Sequence, residues 1–190
     1  PLLFSRHQRE RLYAAGNRLF VSDNDGQTWT PISPDLTRAD PATLGPSGGP
    51  ITRDNTSVEY YGTIFALAES ALDAEILWTG SDDGRIHISR DGGAQWTEVT
   101  PRGAPADMQW NALEASPFEA AGVYAVGTRY KRGDRRPYLY RSSDGGQSWK
   151  AIVDGIDPTH FTRALRADPA RRGVLYAGTE RGLYLSTDNG

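Results

Sequence analysis

Short stretches of alternating apolar and polar positions recur along the chain, each rich in aromatic and β-branched residues. One set reads RLFVS (18–22), RIHISR (85–90), YLYRSS (138–143) and GLYLST (182–187). Alternation of period two predicts strands. A shorter strand follows three of them, in TWTPIS, QWTEVT and SWKAIV. Two further strands precede each pair. The second of each unit lies in RLYAAG, ILWTGS, GVYAVGT and VLYAGT, and the first in LLFSRH, TIFALAES, WNALEASP and FTRALRADP. The pattern is thus four units of consecutive antiparallel strands, A to D, beginning near Leu2, Ile64, Trp110 and Phe161.

The link between strands C and D is itself a repeat. It reads SDNDGQTW at 22–29, SRDGGAQW at 89–96 and SSDGGQSW at 142–149, and a further copy opens at Ser186 as STDNG. Three of the five tryptophans occupy its last position. Its chemistry suits a hairpin turn. Gly26, Gly93, Gly146 and Gly190 can adopt positive φ without a Cβ clash. Asn24, Asp91, Asp144 and Asp188 can accept hydrogen bonds from turn N–H groups, and Ser22, Ser89, Ser142 and Ser186 can do so more weakly. Trp29, Trp96 and Trp149 can cover the turn with a large apolar face.

Repeated four-stranded units of this size are expected to be β-propeller blades. The expected fold class is all-β, a propeller fragment with three complete blades and three strands of a fourth, part of a larger propeller. Blade 1 is expected over about 1–33, an insertion over 34–62, blade 2 over 63–100, blade 3 over 109–153 and the partial blade over 160–190. The boxes resemble the bacterial-neuraminidase or Asp-box repeat. The run from YGTIFALAES to SRDGGAQWTEVTP resembles sortilin (Vps10)-type propellers and the related oligoxyloglucan-active glycoside hydrolases. The resemblance covers essentially the whole chain. It implies a propeller and, because most such repeat proteins are exported, an extracytoplasmic setting. It does not select an activity, since the same turn serves sialidases, sorting receptors and photosystem assembly factors.

Composition narrows the classes. The chain has 190 residues, 37 % of them apolar and 24 % charged, with a net charge of −3. That balance argues against a nucleic-acid binder driven by global charge. With zero cysteines there is no disulfide framework, thiol nucleophile or cysteine-ligated metal. No apolar run approaches the length of a membrane span. DNDG at 23–26 fails the EF-hand pattern, the histidines His7, His87 and His160 are scattered, and neither metal nor cofactor is expected.

Alternating strand direction puts the box turns with the A–B turns on one face, and the B–C turns and D–A connections on the other. Two irregular elements belong to the second face. The connection 34–62 is long, holds Pro34, Pro41, Pro46 and Pro50, and ends near Tyr60 and Tyr61. It is either a binding loop or a packing insertion. Residues 129–136 carry Arg129, Lys131, Arg132, Arg135 and Arg136 against one acid, with Tyr130 among them. This loop either binds an anionic partner or is a solvated hairpin tip. Glycoside hydrolysis requires two carboxylates about 5 to 10 Å apart; on this face the candidates are Glu59, Asp82, Asp83, Asp107 and Glu180. The expected function is protein or peptide binding on the loop face, the partner being anionic, with further blades from the same chain or another subunit. The competing class is a xyloglucanase- or sialidase-like hydrolase.

Overall fold

The computed structural model describes residues 1–48 and 60–190. Pro50, Glu59 and the Asn-Thr-Ser sequon at 55–57 lie outside the described residues. The chain forms three four-stranded antiparallel sheets and one three-stranded sheet, each in chain order. The first comprises β1 (Leu2–Phe4), β2 (Leu12–Ala15), β3 (Leu19–Ser22) and β4 (Thr30–Pro31). The second comprises β5 (Ile64–Glu69), β6 (Leu77–Ser81), β7 (Ile86–Ser89) and β8 (Thr97–Glu98). The third comprises β9 (Gln109–Ala115), β10 (Val123–Arg129), β11 (Asp134–Ser142) and β12 (Lys150–Ala151), and the fourth β13 (Thr162–Ala167), β14 (Leu175–Thr179) and β15 (Leu183–Ser186). The first strands of successive sheets pack side by side, β1 by β5, β5 by β9 and β9 by β13. This is a β-propeller arrangement. Among the described residues no helix is long and apolar enough to cross a membrane.

The inner strands alternate so that both faces of a sheet are buried. On β10, Val123 and Ala125 join Trp78, Ile86, Ile88 and Trp110 between the second and third sheets. The next residues along, Tyr124 and Val126, join Leu139, Leu165 and Leu175 between the third and fourth. Trp78 and Trp110 are fully buried. Each such side chain stabilises the packed state by roughly 1.5–3 kcal/mol, so the sheets cohere through their faces rather than their edges.

The box is a closed ring of hydrogen bonds. Ser89 Oγ donates to Asp91 Oδ1 (2.8 Å) and accepts from Gly93 N–H (2.8 Å), while Asp91 Oδ1 accepts from Gln95 N–H (2.8 Å). Ser142, Asp144, Gly146 and Ser148 repeat these bonds at 2.8, 2.8 and 3.0 Å. Ser22, Asn24, Gly26 and Thr28 do so at 2.9 Å throughout. At the last box, Ser186 Oγ donates to Asp188 (2.8 Å) and accepts from Gly190 (2.7 Å). The serine is no weak accessory here. Ser22, Ser89 and Ser142 are buried to 1–2 % exposure, and their hydroxyls both donate and accept at the centre of the ring. Gly26, Gly93, Gly146 and Gly190 have φ between 81° and 102°.

The tryptophan does more than cover its own turn. Trp149 Nε1 donates to Val99 O (2.7 Å), and Trp96 Nε1 to both Gly93 O and Ile32 O (3.0 Å each). Val99 and Ile32 follow the last strand of the preceding sheet. The box glycine seats on the same residue: a Cβ at Gly146 would lie 2.6 Å from Val99, at Gly93 2.9 Å from Ile32, and at Gly190 2.8 Å from Ile152. Turn and tryptophan together form the joint between neighbouring sheets.

Candidate functional site

Hydrogen bonds hold the two ends of the sheets in distinct groups. At the box end, Gly92 N–H donates to Glu75 O and Gly145 N–H to Ala121 O, both at 3.0 Å, tying each C–D turn to its own A–B turn. At the other end, the B–C turn of the second sheet clasps the long connection. Asp82 Oδ1 accepts from Gly62 N–H (3.0 Å) and Thr63 N–H (2.8 Å), and its Oδ2 accepts from the Thr63 hydroxyl (3.2 Å). Asp83 accepts from Arg38 N–H (2.8 Å) and the Ser81 hydroxyl (2.5 Å). Both carboxylates are buried. Burial pushes the Asp82 carboxyl above its usual range, with the neighbouring Asp83 charge acting in the same direction. These two residues, candidates for catalysis, hold both ends of the connection in place.

The basic loop is shorter and less basic in effect than its composition implies. Tyr130–Arg132 is a single 3-10 turn, closed by Gly133 at φ 75°, and β11 already begins at Asp134. Arg129 bridges two acids, with Nε donating to Asp107 (3.0 Å) and Nη1 to Asp134 (2.8 Å). Arg132 pairs with Asp107 at 3.3 Å and Arg136 with Asp134 at 2.7 Å. Asp134 also accepts from the Tyr138 hydroxyl (2.7 Å). Arg136, first among these partners, holds its carboxyl well below the usual range. Lys131 and Arg135 are exposed and have no ion pair among the described residues. The Tyr130 ring stacks on Phe161 with centroids 4.9 Å apart, and the Arg163 guanidinium lies 4.4 Å from the Tyr130 ring centre. Tyr130 therefore fastens the loop to the fourth sheet.

The ends of the two irregular elements meet. Tyr61, Asp82, Asp107, Thr128, Arg129 and Arg132 line one cavity of about 100 Å³. On its other side Tyr61 borders a wider cleft of about 590 Å³, with Asn17, Asp35, Leu44 and Tyr60. Tyr60 is 60 % exposed. Burial first, then the Asp83 and Asp82 charges, raise the Tyr61 hydroxyl above its ordinary pKa. Of the other carboxylates, Asp107 is occupied by Arg129 and Arg132, and Glu180 lies 4.0 Å from Arg181. Thr128 carried no sequence signal, being one hydroxyl in an apolar strand. Asp134 entered only as a charge count, although three side chains converge on it.

No protein-family model matches the chain. It is 28 % identical over 104 residues to the oligoxyloglucan-reducing end-specific xyloglucanase of Emericella nidulans, a stretch covering 54 % of this chain and 13 % of that protein. Among solved structures, an ancestral GH74 enzyme superposes on the whole chain with a TM-score of 0.69 at 16 % identity, the match taking up 23 % of that enzyme. YCF48 bound to D1 peptide superposes on 67 % of the chain with a TM-score of 0.52 at 25 % identity, over 38 % of its own length. The chain is a β-propeller segment, and it spans only a small part of the proteins it resembles.

Proposed function

We propose that this segment is a protein-binding scaffold whose loop face engages an acidic peptide or protein surface. The observation that carries the reading is the meeting of Tyr61 with Arg129, Lys131 and Arg132 around one cavity, with Tyr60 exposed beside it and with Lys131 and Arg135 exposed and without an ion pair among the described residues. Arg129, Tyr130, Arg132 and Arg136 are the framework that presents them. YCF48, which superposes on 67 % of the chain, is itself bound to D1 peptide, and this supports the reading. The role needs no cofactor, and the resemblance to exported repeat proteins supports an extracytoplasmic setting. Remaining blades, from the same chain or another subunit, are the other partners this reading includes.

Titration of a short polyglutamate peptide by calorimetry, at low and high salt, tests it. The double variant Lys131→Glu/Arg135→Glu should bind about tenfold more weakly and lose salt dependence. Arg9→Glu, in the A–B turn of the first sheet, should bind as the native protein does. Equal affinity of native and double variant overturns the reading.

The identity shared with a xyloglucanase favours a second reading, a glycoside hydrolase with substrate across the sheets. Against it, Asp82, Asp83 and Asp107 are each committed to hydrogen bonds or ion pairs. Reducing-sugar release from xyloglucan oligosaccharides, abolished by a single carboxylate-to-amide change on this face, would establish it.

A further inference from the structure

We propose that Phe65, Asn111 and Arg163 form a recognition row at the loop end of the inner strands, in which Arg163 binds the carboxylate of an acidic side chain of the engaged peptide; the proposal rests on the protein-binding reading. The inner strands share an irregularity. The ladder from β5 to β6 passes from Ile64 to Ala66 and skips Phe65. That from β9 to β10 passes from Trp110 to Ala112 and skips Asn111. That from β13 to β14 passes from Thr162 to Ala164 and skips Arg163. Each is a β-bulge, which gives up a ladder position and re-aims the extra side chain. All three stand near the start of their strands, at the end of the sheets where the long connection and the 129–136 loop meet. The row is continuous: Asn111 Nδ2 donates to Thr162 O at 3.4 Å, beside Arg163, and Phe65 and Asn111 border one cavity of about 340 Å³. Phe65 is 48 % exposed. One backbone device thus presents an aromatic ring, an amide and a guanidinium from three neighbouring sheets.

Arg163 differs from the other arginines at this end. Arg129, Arg132 and Arg136 are spent on Asp107 and Asp134. Arg163 is exposed and makes no hydrogen bond or ion pair among the described residues. It is nevertheless held in place. Its Cζ lies 4.4 Å from the centre of the Tyr130 ring and 4.7 Å from that of Phe161. Contact with the ring faces leaves the N–H edge of a guanidinium open, and that planar edge matches a carboxylate through two parallel hydrogen bonds. Because the rings already restrain the side chain, less freedom is lost on binding than by a loose surface arginine. The full charge has no acid paired with it, so an anionic group completes it where a neutral sugar would not. Phe65, farther along the row, offers its open ring to an apolar side chain of the same peptide.

The test uses the native protein with three peptides blocked at both ends: a glutamate tract, a glutamine tract, and a glutamate tract with one central phenylalanine. Affinity is read by calorimetry and rates by stopped flow. The glutamate tract should bind and the glutamine tract should not. Arg163→Lys keeps the charge and gives up the planar fork. It should weaken glutamate binding about tenfold, through faster dissociation and with association unchanged. Arg166→Lys, three residues along β13 and paired with Glu114, should bind as native. The phenylalanine peptide should bind the native protein more tightly than the glutamate tract, and Phe65→Ala should remove that advantage alone. If Arg163→Lys binds as native while the Lys131/Arg135 double variant binds weakly, the anchor is overturned and the surface reading stands. If neither variant changes affinity, both fall. A lower melting temperature in Arg163→Lys with native affinity would make the ring contacts purely structural and also overturn the anchor. A phenylalanine advantage that survives Phe65→Ala would overturn the row.

Discussion

Trp96 donates its indole hydrogen bond to the main-chain carbonyl of Ile32, 3.0 Å away on the neighbouring sheet. Trp149 stands in the same relation to Val99. A side chain placed by a local turn motif thus makes a tertiary bond, and what the box contributes to stability is realised between sheets.

Trp149→Phe should therefore lower stability by about 1 kcal/mol for the lost hydrogen bond, plus the packing that the smaller ring gives up. Trp29 is 39 % exposed and makes no hydrogen bond among the described residues, so Trp29→Phe should change stability by less than about 0.5 kcal/mol. Urea unfolding of both variants checks the contrast. Equal losses would mean that the indoles act only within their own turns.

Two glycines with the same backbone sign separate conformational cost from crowding. Gly146 and Gly133 have φ of 81° and 75°. A Cβ at Gly146 would meet Val99 at 2.6 Å, whereas one at Gly133 would meet nothing within 4 Å. Gly133→Ala should cost about 1 kcal/mol, the left-handed penalty alone. Gly146→Ala should cost at least about 2 kcal/mol, because the sheets must also move apart. Denaturant midpoints of the two proteins give the comparison.

The box carboxylates shape the acid limb of stability. The Ser148 hydroxyl and N–H pull the Asp144 carboxyl down to about 2, aided by Ser142. Its folded pKa lies below the unfolded one, so its contribution is present above pH ~4 and is lost as pH falls through ~2. Across that interval the native protein should lose melting temperature, and Asp144→Asn should lose less. Thermal melts over a pH series measure the difference; parallel curves would remove Asp144 from the account.

Sheet order and the box turns were legible because both depend on residues close in the chain: alternation along β7 or β11, and Ser, Asp and Gly at fixed offsets in one turn. The target of Trp149 was not, because Val99 stands on another sheet and only packing brings it near. The ion pairs of the basic loop were hidden for the same reason: Arg129 finds Asp107 from 22 residues earlier, across the sheet. The start of β11 was also hidden, since Arg135 and Arg136 break the apolar alternation while Asp134 already pairs with Arg129 across the ladder. The candidate carboxylates Asp82 and Asp83 were placed on the right face by topology, but their commitment to Thr63 and Arg38 follows from the course of a connection that no local pattern encodes.

In each complete box the aliphatic residue used by the next sheet lies three positions past the tryptophan, as Ile32, Val99 and Ile152 follow Trp29, Trp96 and Trp149. Both halves of the joint are therefore carried by one short stretch: a glycine and indole that grip backwards, and a branched side chain that is gripped from ahead. A gene segment encoding one sheet, when duplicated in tandem, arrives with the fittings for its neighbours on either side. Such an array can lengthen or shorten by whole units with no new surface to be invented, leaving the loops at the far end free to diverge.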